Sequence, residues 1–175
     1  MPPTCSPSTI SFIAPVIQDG DITLAGTGAI VEYVLAKHGN NSLNIPLTAV
    51  NHADHLYHWH FINSSLQRTI LAAFMTASAD GPDASKTAKI IDGRIKGAMR
   101  ILKKSLGGNY WLFGKDFTTT DIILVFSLTP LKLFLPFYEL KNYPAILGYL
   151  KRVRAREAYQ TAMTKSDGTV PGLEV

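Results

Sequence analysis

The spacing of apolar and polar residues changes once along the chain. Residues 10–24, ISFIAPVIQDGDITL, are apolar and β-branched, and Asp19-Gly20-Asp21 interrupts them with the composition of a hairpin turn. From Thr27 onward apolar residues recur at helical spacing. The pattern predicts a mainly α-helical protein that carries one short hairpin, with helices at 28 to about 39, 51–76, 84–105, 118–138 and 144–164.

A polar connection that contains Pro46 is the best domain boundary in the sequence. We therefore predict a small N-terminal unit, a linker, an all-helical domain and a tail, over residues 1–40, 41–50, 51–165 and 166–175. Two helix starts are well marked: Thr118 is placed to cap a helix with Asp121 at its third position, and Pro144 occupies a first helical position.

Composition is that of a folded protein from a reducing compartment. The chain has 175 residues, of which 46% are hydrophobic and 17% charged. Its single cysteine, Cys5, cannot form a disulfide within the chain. The start lacks the blocks of a signal peptide, and Lys132 with two prolines interrupts the apolar run 122–138. We expect a cytoplasmic protein without a membrane span.

The net charge of +4 comes mostly from two basic stretches, KTAKIIDGRIKGAMRILKK and KRVRARE. Ile91, Ile95, Ala98 and Leu102 form one helical stripe in the first stretch, which leaves its lysines and arginines facing water. No aromatic residues alternate with these cations, as they do in proteins that bind single-stranded nucleic acid. We interpret the stretch as a solvated helix face and expect no nucleic-acid partner.

Four segments, in this order and spacing, resemble the glutathione transferases: APVIQDGDITLAGTGAIVEYVLAKHG, ADHLYHWHFINSSLQ, YWLFGKDFTTTDIIL and NYPAILGYLKRVRAREAYQTAM. The resemblance covers about residues 12–164. It is strongest to microbial transferases with a Tyr-Trp pair and a Glu-Gly-Ser in one helix, where this chain has Tyr57-His58-Trp59 and Asn63-Ser64-Ser65. It implies the helical C-terminal domain of that fold, a thioredoxin-like remnant of about two strands and one helix, and a homodimer.

The resemblance also implies a glutathione site in the N-terminal unit. The proline that matches Pro15 is in the cis form in the family, the backbone at Ala14 binds the cysteinyl part of glutathione, and the turn Gly26-Thr27 binds the γ-glutamyl carboxylate. Independently, a hydroxyl at a helix N-terminus is suited to binding an anion. The alternative is that Thr27 only caps its own helix.

Two departures from the family predict that glutathione is bound weakly and is not required. The family turn usually presents an acidic residue followed by Ser, where this chain has Gly26-Thr27. The family also places its catalytic Tyr, Ser or Cys in a strand-helix-strand unit of roughly 30 residues, whereas only 14 residues precede Pro15. We therefore expect an N-terminally truncated domain, in which Cys5 and Ser6 do not replace the nucleophile.

The helix predicted at 51–76 has an apolar stripe for the core, formed by Trp59, Ile62, Leu66, Ile70 and Ala73. A polar stripe lies beside it and consists of His60, Asn63, Ser64 and Gln67. Asn63 and Ser64 stand where the resembled proteins carry Glu-Gly, a position that in those proteins faces the cleft between the two domains. This stripe is our candidate catalytic site, with His60 as general acid or base. Phe126 and Thr129 are expected to line the substrate site on the side opposite this stripe. The alternative is that the stripe is only a solvated polar face of its helix.

Four histidines, His52, His55, His58 and His60, lie within nine residues. A zinc site would favour ligands at i and i+4 and ordered partners around them. His52, His55 and His58 instead rotate progressively around a helix. We expect no metal.

Two classes of function compete. The first is a transferase-fold enzyme that acts on a hydrophobic, oxygen-bearing small molecule by glutathione-independent isomerase, cyclase or lyase chemistry, with conventional glutathione transfer as the alternative. The second is a non-catalytic binding or scaffold protein. The polar stripe favours an enzyme.

Overall fold

The computed structural model describes residues 14–40, 42–77, 82–134 and 140–166. The chain forms two compact units that divide between Ala49 and Val50. The interpretations of Cys5, Ser6, residues 10–13 and the tail from residue 167 fall outside the described residues.

The N-terminal unit begins with the predicted hairpin. Strand β1, Val16–Asp19, pairs antiparallel with β2, Ile22–Ala25, so that Val16 lies opposite Ala25. Gly20 turns the chain at φ 60°, a conformation that favours glycine. Helix α1 follows at Thr27–His38 and ends at Gly39, as predicted.

Asp19 joins the hairpin to the end of α1. The Tyr33 hydroxyl and Lys37 Nζ each donate to Asp19 Oδ2 at 2.9 Å, and His38 Nε2 lies 2.8 Å from the same oxygen. Hydrogen bonds from Lys37, then His38 and Tyr33, hold the pKa of Asp19 well below its usual range. These contacts tie together two elements that are too short to be stable alone.

In the residues that the structure describes, the second unit consists of helices joined by loops, and one of these loops contains an isolated bridge between Trp111 and Gly114. One long helical run comprises α2, a π-helical segment and α3, and four further α-helices follow it. Their bounds are His52–His60 for α2, Phe61–Leu66 for the π-helical segment, Gln67–Thr76 for α3, Pro82–Leu106 for α4, Thr119–Phe134 for α5, Pro144–Arg154 for α6 and Glu157–Lys165 for α7, with a 3₁₀ turn at Leu140–Asn142.

These elements confirm the predicted fold class, with two differences of detail. The run predicted at 51–76 contains a π-helical turn, and the run predicted at 144–164 breaks at Ala155 and Arg156. Arg156 has an extended backbone, and its guanidinium lies 3.6 Å from the centroid of the Phe117 ring. The end predicted for α5, at residues 135–138, lies outside the described residues.

The core of this unit lies along the inner face of α4. The predicted stripe Ile91, Ile95, Ala98 and Leu102 is buried throughout. No helix within the described residues is both long enough and apolar enough to cross a membrane.

Asp121 organises the start of α5. Its fully buried carboxylate accepts the backbone N–H groups of Thr118 and Leu112, at 2.9 and 3.1 Å, and also the Thr118 hydroxyl at 2.9 Å. The prediction for Asp121 is confirmed, whereas the Thr118 side chain donates to Asp121 instead of capping an amide. Burial raises the pKa of Asp121 despite these bonds.

Candidate functional site

The structure brings together the four residues that the resemblance assigned to a glutathione site. The Ala14–Pro15 bond is cis. The Gly26 N–H donates to the Pro15 carbonyl at 3.0 Å, so the turn that starts α1 lies directly beside the cis-proline. Ala14, Pro15, Gly26 and Thr27 therefore lie together at the end of the hairpin where β1 begins and β2 ends.

Gly26, not Thr27, is the N-cap of α1. Gly26 has φ 91°, a value that strains residues with a side chain, and the cap has no side-chain hydrogen bond. The alternative that Thr27 only caps its own helix is therefore wrong. Within the described residues the Thr27 hydroxyl has no protein partner, so it is available to a ligand.

In the helical unit, a π-helical turn lies at the centre of the predicted polar stripe. Asn63 and Ser64 are within Phe61–Leu66, where the wider turn alters the direction of the side chains that follow. The Ser64 hydroxyl donates to the His60 carbonyl. Single π-helical turns are frequent at functional sites.

The π-helical turn separates Gln67 from the rest of the stripe. Gln67 Nε2 donates to Ser127 Oγ of α5 at 3.1 Å, and the Ser127 hydroxyl donates to the Ile123 carbonyl at 2.6 Å. Ser127 is buried. Gln67 thus contacts the core helix α5, while His60 and Ser64 remain exposed.

Sequence reasoning missed an aromatic pair beside His60. The rings of Tyr57 and Phe61 stack with centroids 5.9 Å apart and planes 7° apart. Tyr57 is 54% exposed and Phe61 is half-buried. The spacing of four residues could have revealed the pair, because side chains at i and i+4 meet on a helix.

The two residues predicted on α5 differ in their surroundings. Phe126 is 64% exposed and therefore available as an apolar surface. The Thr129 hydroxyl is half-buried and donates to the Val125 carbonyl at 2.9 Å, so it retains only acceptor capacity.

His55 and His58 of α2 make structural contacts. His58 Nδ1 donates to the Asp54 carbonyl at 2.8 Å, and Nε2 lies 2.7 Å from Ser105 Oγ. His55 is buried, with Nδ1 3.1 Å from Thr120 Oγ1. Burial, and secondarily His52 and His58, lowers the pKa of His55 to about 4.

The Phe113 ring contacts the imidazoles of both His55 and His58, with centroids 5.3 and 5.4 Å away. Among the described residues, no group of three or more histidine, cysteine or acidic side chains is placed to hold a metal ion. The cluster attaches α2 to Ser105 of α4, to Thr120 of α5 and to the loop before α5.

Comparisons with a family model and with solved structures point to the same protein family. Residues 67–161 match the family model of the glutathione S-transferase C-terminal domain. No curated protein matches the chain.

Solved structures resemble the chain over most of its length. A glutathione S-transferase from Actinobacillus pleuropneumoniae is 29% identical, with a TM-score of 0.77 over 90% of this chain and 71% of that one. A glutathione transferase from Methylococcus capsulatus is 25% identical, with a TM-score of 0.71 over 86% and 72% of the two chains. A sphingomonad glutathione S-transferase complexed with glutathione, 22% identical, shares the fold with a TM-score of 0.69 over 86% and 72%.

Proposed function

The chain belongs to the glutathione S-transferase superfamily, and from this membership we propose that it is an enzyme that acts on a hydrophobic, oxygen-bearing small molecule. A glutathione-transferase-like function follows from the family in general terms. The finer proposal is that the reaction is an isomerisation, cyclisation or elimination that does not consume glutathione.

The stacked pair Tyr57 and Phe61 carries the proposal. The exposed ring of Tyr57 and the half-buried ring of Phe61 stack on one helix face and offer an apolar surface, on which a conjugated ring or enone packs favourably. His60 lies between them in sequence and is exposed, and imidazole is the side chain best suited to move protons near neutral pH. The Ser64 hydroxyl, one turn away, can accept a hydrogen bond from a substrate hydroxyl.

Glutathione has a partial site in this proposal. The Ala14 backbone, the free amides at the start of α1 and the Thr27 hydroxyl support binding of an anionic, peptide-like ligand. Gly26 supplies no carboxylate for the amino group of the ligand, which removes one charge-assisted hydrogen bond. We therefore propose that glutathione binds weakly and is not needed for the reaction.

Conventional glutathione transfer is the second candidate. It is favoured by the hydrogen bond from the Gly26 N–H to the Pro15 carbonyl, which places the turn beside Ala14 and Pro15, the residues that the resemblance associates with glutathione binding. A scaffold protein without catalysis is the third candidate. The three candidate functions, which are a glutathione-independent enzyme, a conventional transferase and a scaffold protein, predict different turnover with and without glutathione.

The decisive experiment uses cinnamaldehyde, a conjugated and oxygen-bearing probe: it measures binding of the trans isomer and isomerisation of the cis isomer to the trans isomer, with glutathione present and absent. We expect Tyr57→Ala to weaken binding about three- to tenfold through loss of aromatic contact. Leu56→Ala, at a neighbouring exposed position of α2, is the matched control. Equal binding by Tyr57→Ala would contradict the aromatic site, and conversion only with glutathione would favour conventional transfer.

A further inference from the structure

A cavity of about 320 Å³ lies between α3 and α4, on elements separate from the aromatic pair. Its floor consists of the buried side chains Ala73, Ile91 and Ile95. Ser85 and Lys89 of α4 line its exposed side. The volume is at the lower end of the range of roughly 300–1,000 Å³ for small-molecule sites.

The cavity exists because the facing side chains are small. Ala73 of α3 and Ala77, which directly follows α3, line the cavity together with Ser85 and Ala88 of α4, where larger residues would close the space between packed helices. The floor is apolar, so an occupant gains free energy by burying a hydrocarbon body there.

The lining of the cavity contains one cation, Lys89, and one anion, Asp92. Lys89 lines the cavity and, within the described residues, makes no hydrogen bond or ion pair. Asp92, the carboxylate in the lining, is bound to Lys96 at 2.8 Å.

We propose that this cavity binds a small amphiphilic carboxylate. The hydrocarbon body lies on Ala73, Ile91 and Ile95, and the carboxylate meets Lys89, with the Ser85 hydroxyl as a second donor. Because Lys96 already neutralises Asp92, the ligand's charge meets a net attraction at the mouth. The site is independent of the reaction proposed for His60.

Octanoate and 1-octanol form a matched pair of probes, because they share a hydrocarbon body and differ in charge. Titration of the full chain, followed through the backbone amide resonances of Ala73 and Ile91, is expected to show saturable octanoate binding with a Kd of about 1 mM or tighter. Lys89→Ala should weaken octanoate binding about two- to fivefold, the effect typical of an exposed ion pair, and leave 1-octanol unchanged. Lys86→Ala, an exposed lysine outside the lining, should change neither.

Ala88→Leu fills the mouth of the cavity and should remove saturable binding of both probes. Thr87→Leu adds similar bulk one position away, outside the lining, and is the control. Octanoate binding that survives Ala88→Leu, that shifts only amides remote from the cavity, or that is absent would overturn the proposal. Equal loss of octanoate and 1-octanol affinity in Lys89→Ala would also overturn the role of the charge.

Discussion

His55 and Thr120 meet in the interior of the helical unit, with His55 Nδ1 3.1 Å from Thr120 Oγ1. Both residues are almost fully buried. The pair joins α2 to the first turn of α5, where Asp121 binds the preceding loop. A buried imidazole at this junction connects the stability of the unit to pH.

We predict that the helical unit loses stability as pH falls from about 6.5 toward 4. The folded state holds the pKa of His55 at about 4, below the unfolded value near 6.5, so the unfolded chain binds more protons in this window. Between pH 7.5 and 5 the contribution of His55 should fall by about 2 kcal/mol. Urea unfolding followed by circular dichroism at both pH values measures it.

His55→Gln is the control for this prediction, since it keeps a polar group but does not titrate. The raised pKa of Asp121 increases the free energy of unfolding as pH falls, which is opposite to the effect of His55. Because the wild type and His55→Gln both contain Asp121, its contribution cancels when the two are compared. Identical pH dependence of the two proteins would show that His55 is not responsible.

Gln67→Leu should affect stability more than catalysis. The Gln67 amide donates a hydrogen bond to the buried Ser127 hydroxyl and so joins α3 to α5. Loss of such a bond lowers the free energy of unfolding by about 0.5–1.5 kcal/mol. We expect lower denaturant resistance and turnover within about twofold of wild type per folded molecule. A large loss of turnover at unchanged stability would return Gln67 to the catalytic set that the sequence suggested.

His60→Ala should lower turnover by at least about a hundredfold, the smaller end of general acid or base contributions. The side chain is exposed, so the variant should remain as stable as wild type. His52→Ala, at the start of the same helix, is the matched control. Steady-state kinetics on the cinnamaldehyde probe, with and without glutathione, measure the effect, and full activity in His60→Ala would exclude the residue from the mechanism.

Glutathione should bind with a Kd weaker than the low micromolar range, because Gly26 replaces an acidic partner worth about 1.5–3 kcal/mol. Thr27→Val should weaken the residual binding further, while Thr23→Val on β2 should not. Isothermal calorimetry provides the test. A low-micromolar Kd for the wild type would refute the defective site.

A homodimer should form through the outer face of α3. Leu71, Phe74 and Met75 are 56%, 50% and 72% exposed within about one turn of that helix, and they form an apolar surface that favours a partner. The double variant Leu71→Glu with Met75→Glu should sediment as a monomer at micromolar concentration. Wild-type protein that is itself monomeric under these conditions would contradict the proposal.

Local patterns along the sequence determined the hairpin, the helices and the buried stripe of α4. Asp19-Gly20 is turn chemistry between β-branched runs, and Ile91, Ile95, Ala98 and Leu102 recur at the helical period. Such features depend on neighbours within one or two turns, so their physical cause is visible in the sequence. The order of four segments also carried the family resemblance.

Tertiary packing decided the details of the candidate site. The π-helical turn at Phe61–Leu66 changes the direction of Gln67, and the break at Arg156 accompanies a contact with Phe117, 39 positions earlier in the chain. A π-helical and an α-helical turn share nearly the same apolar spacing over six residues, and a ring contact between distant residues leaves no local signal. The sequence therefore determined which residues are helical, whereas packing against α5 and the loop before it decided which side chains reach the core and which remain available to a ligand.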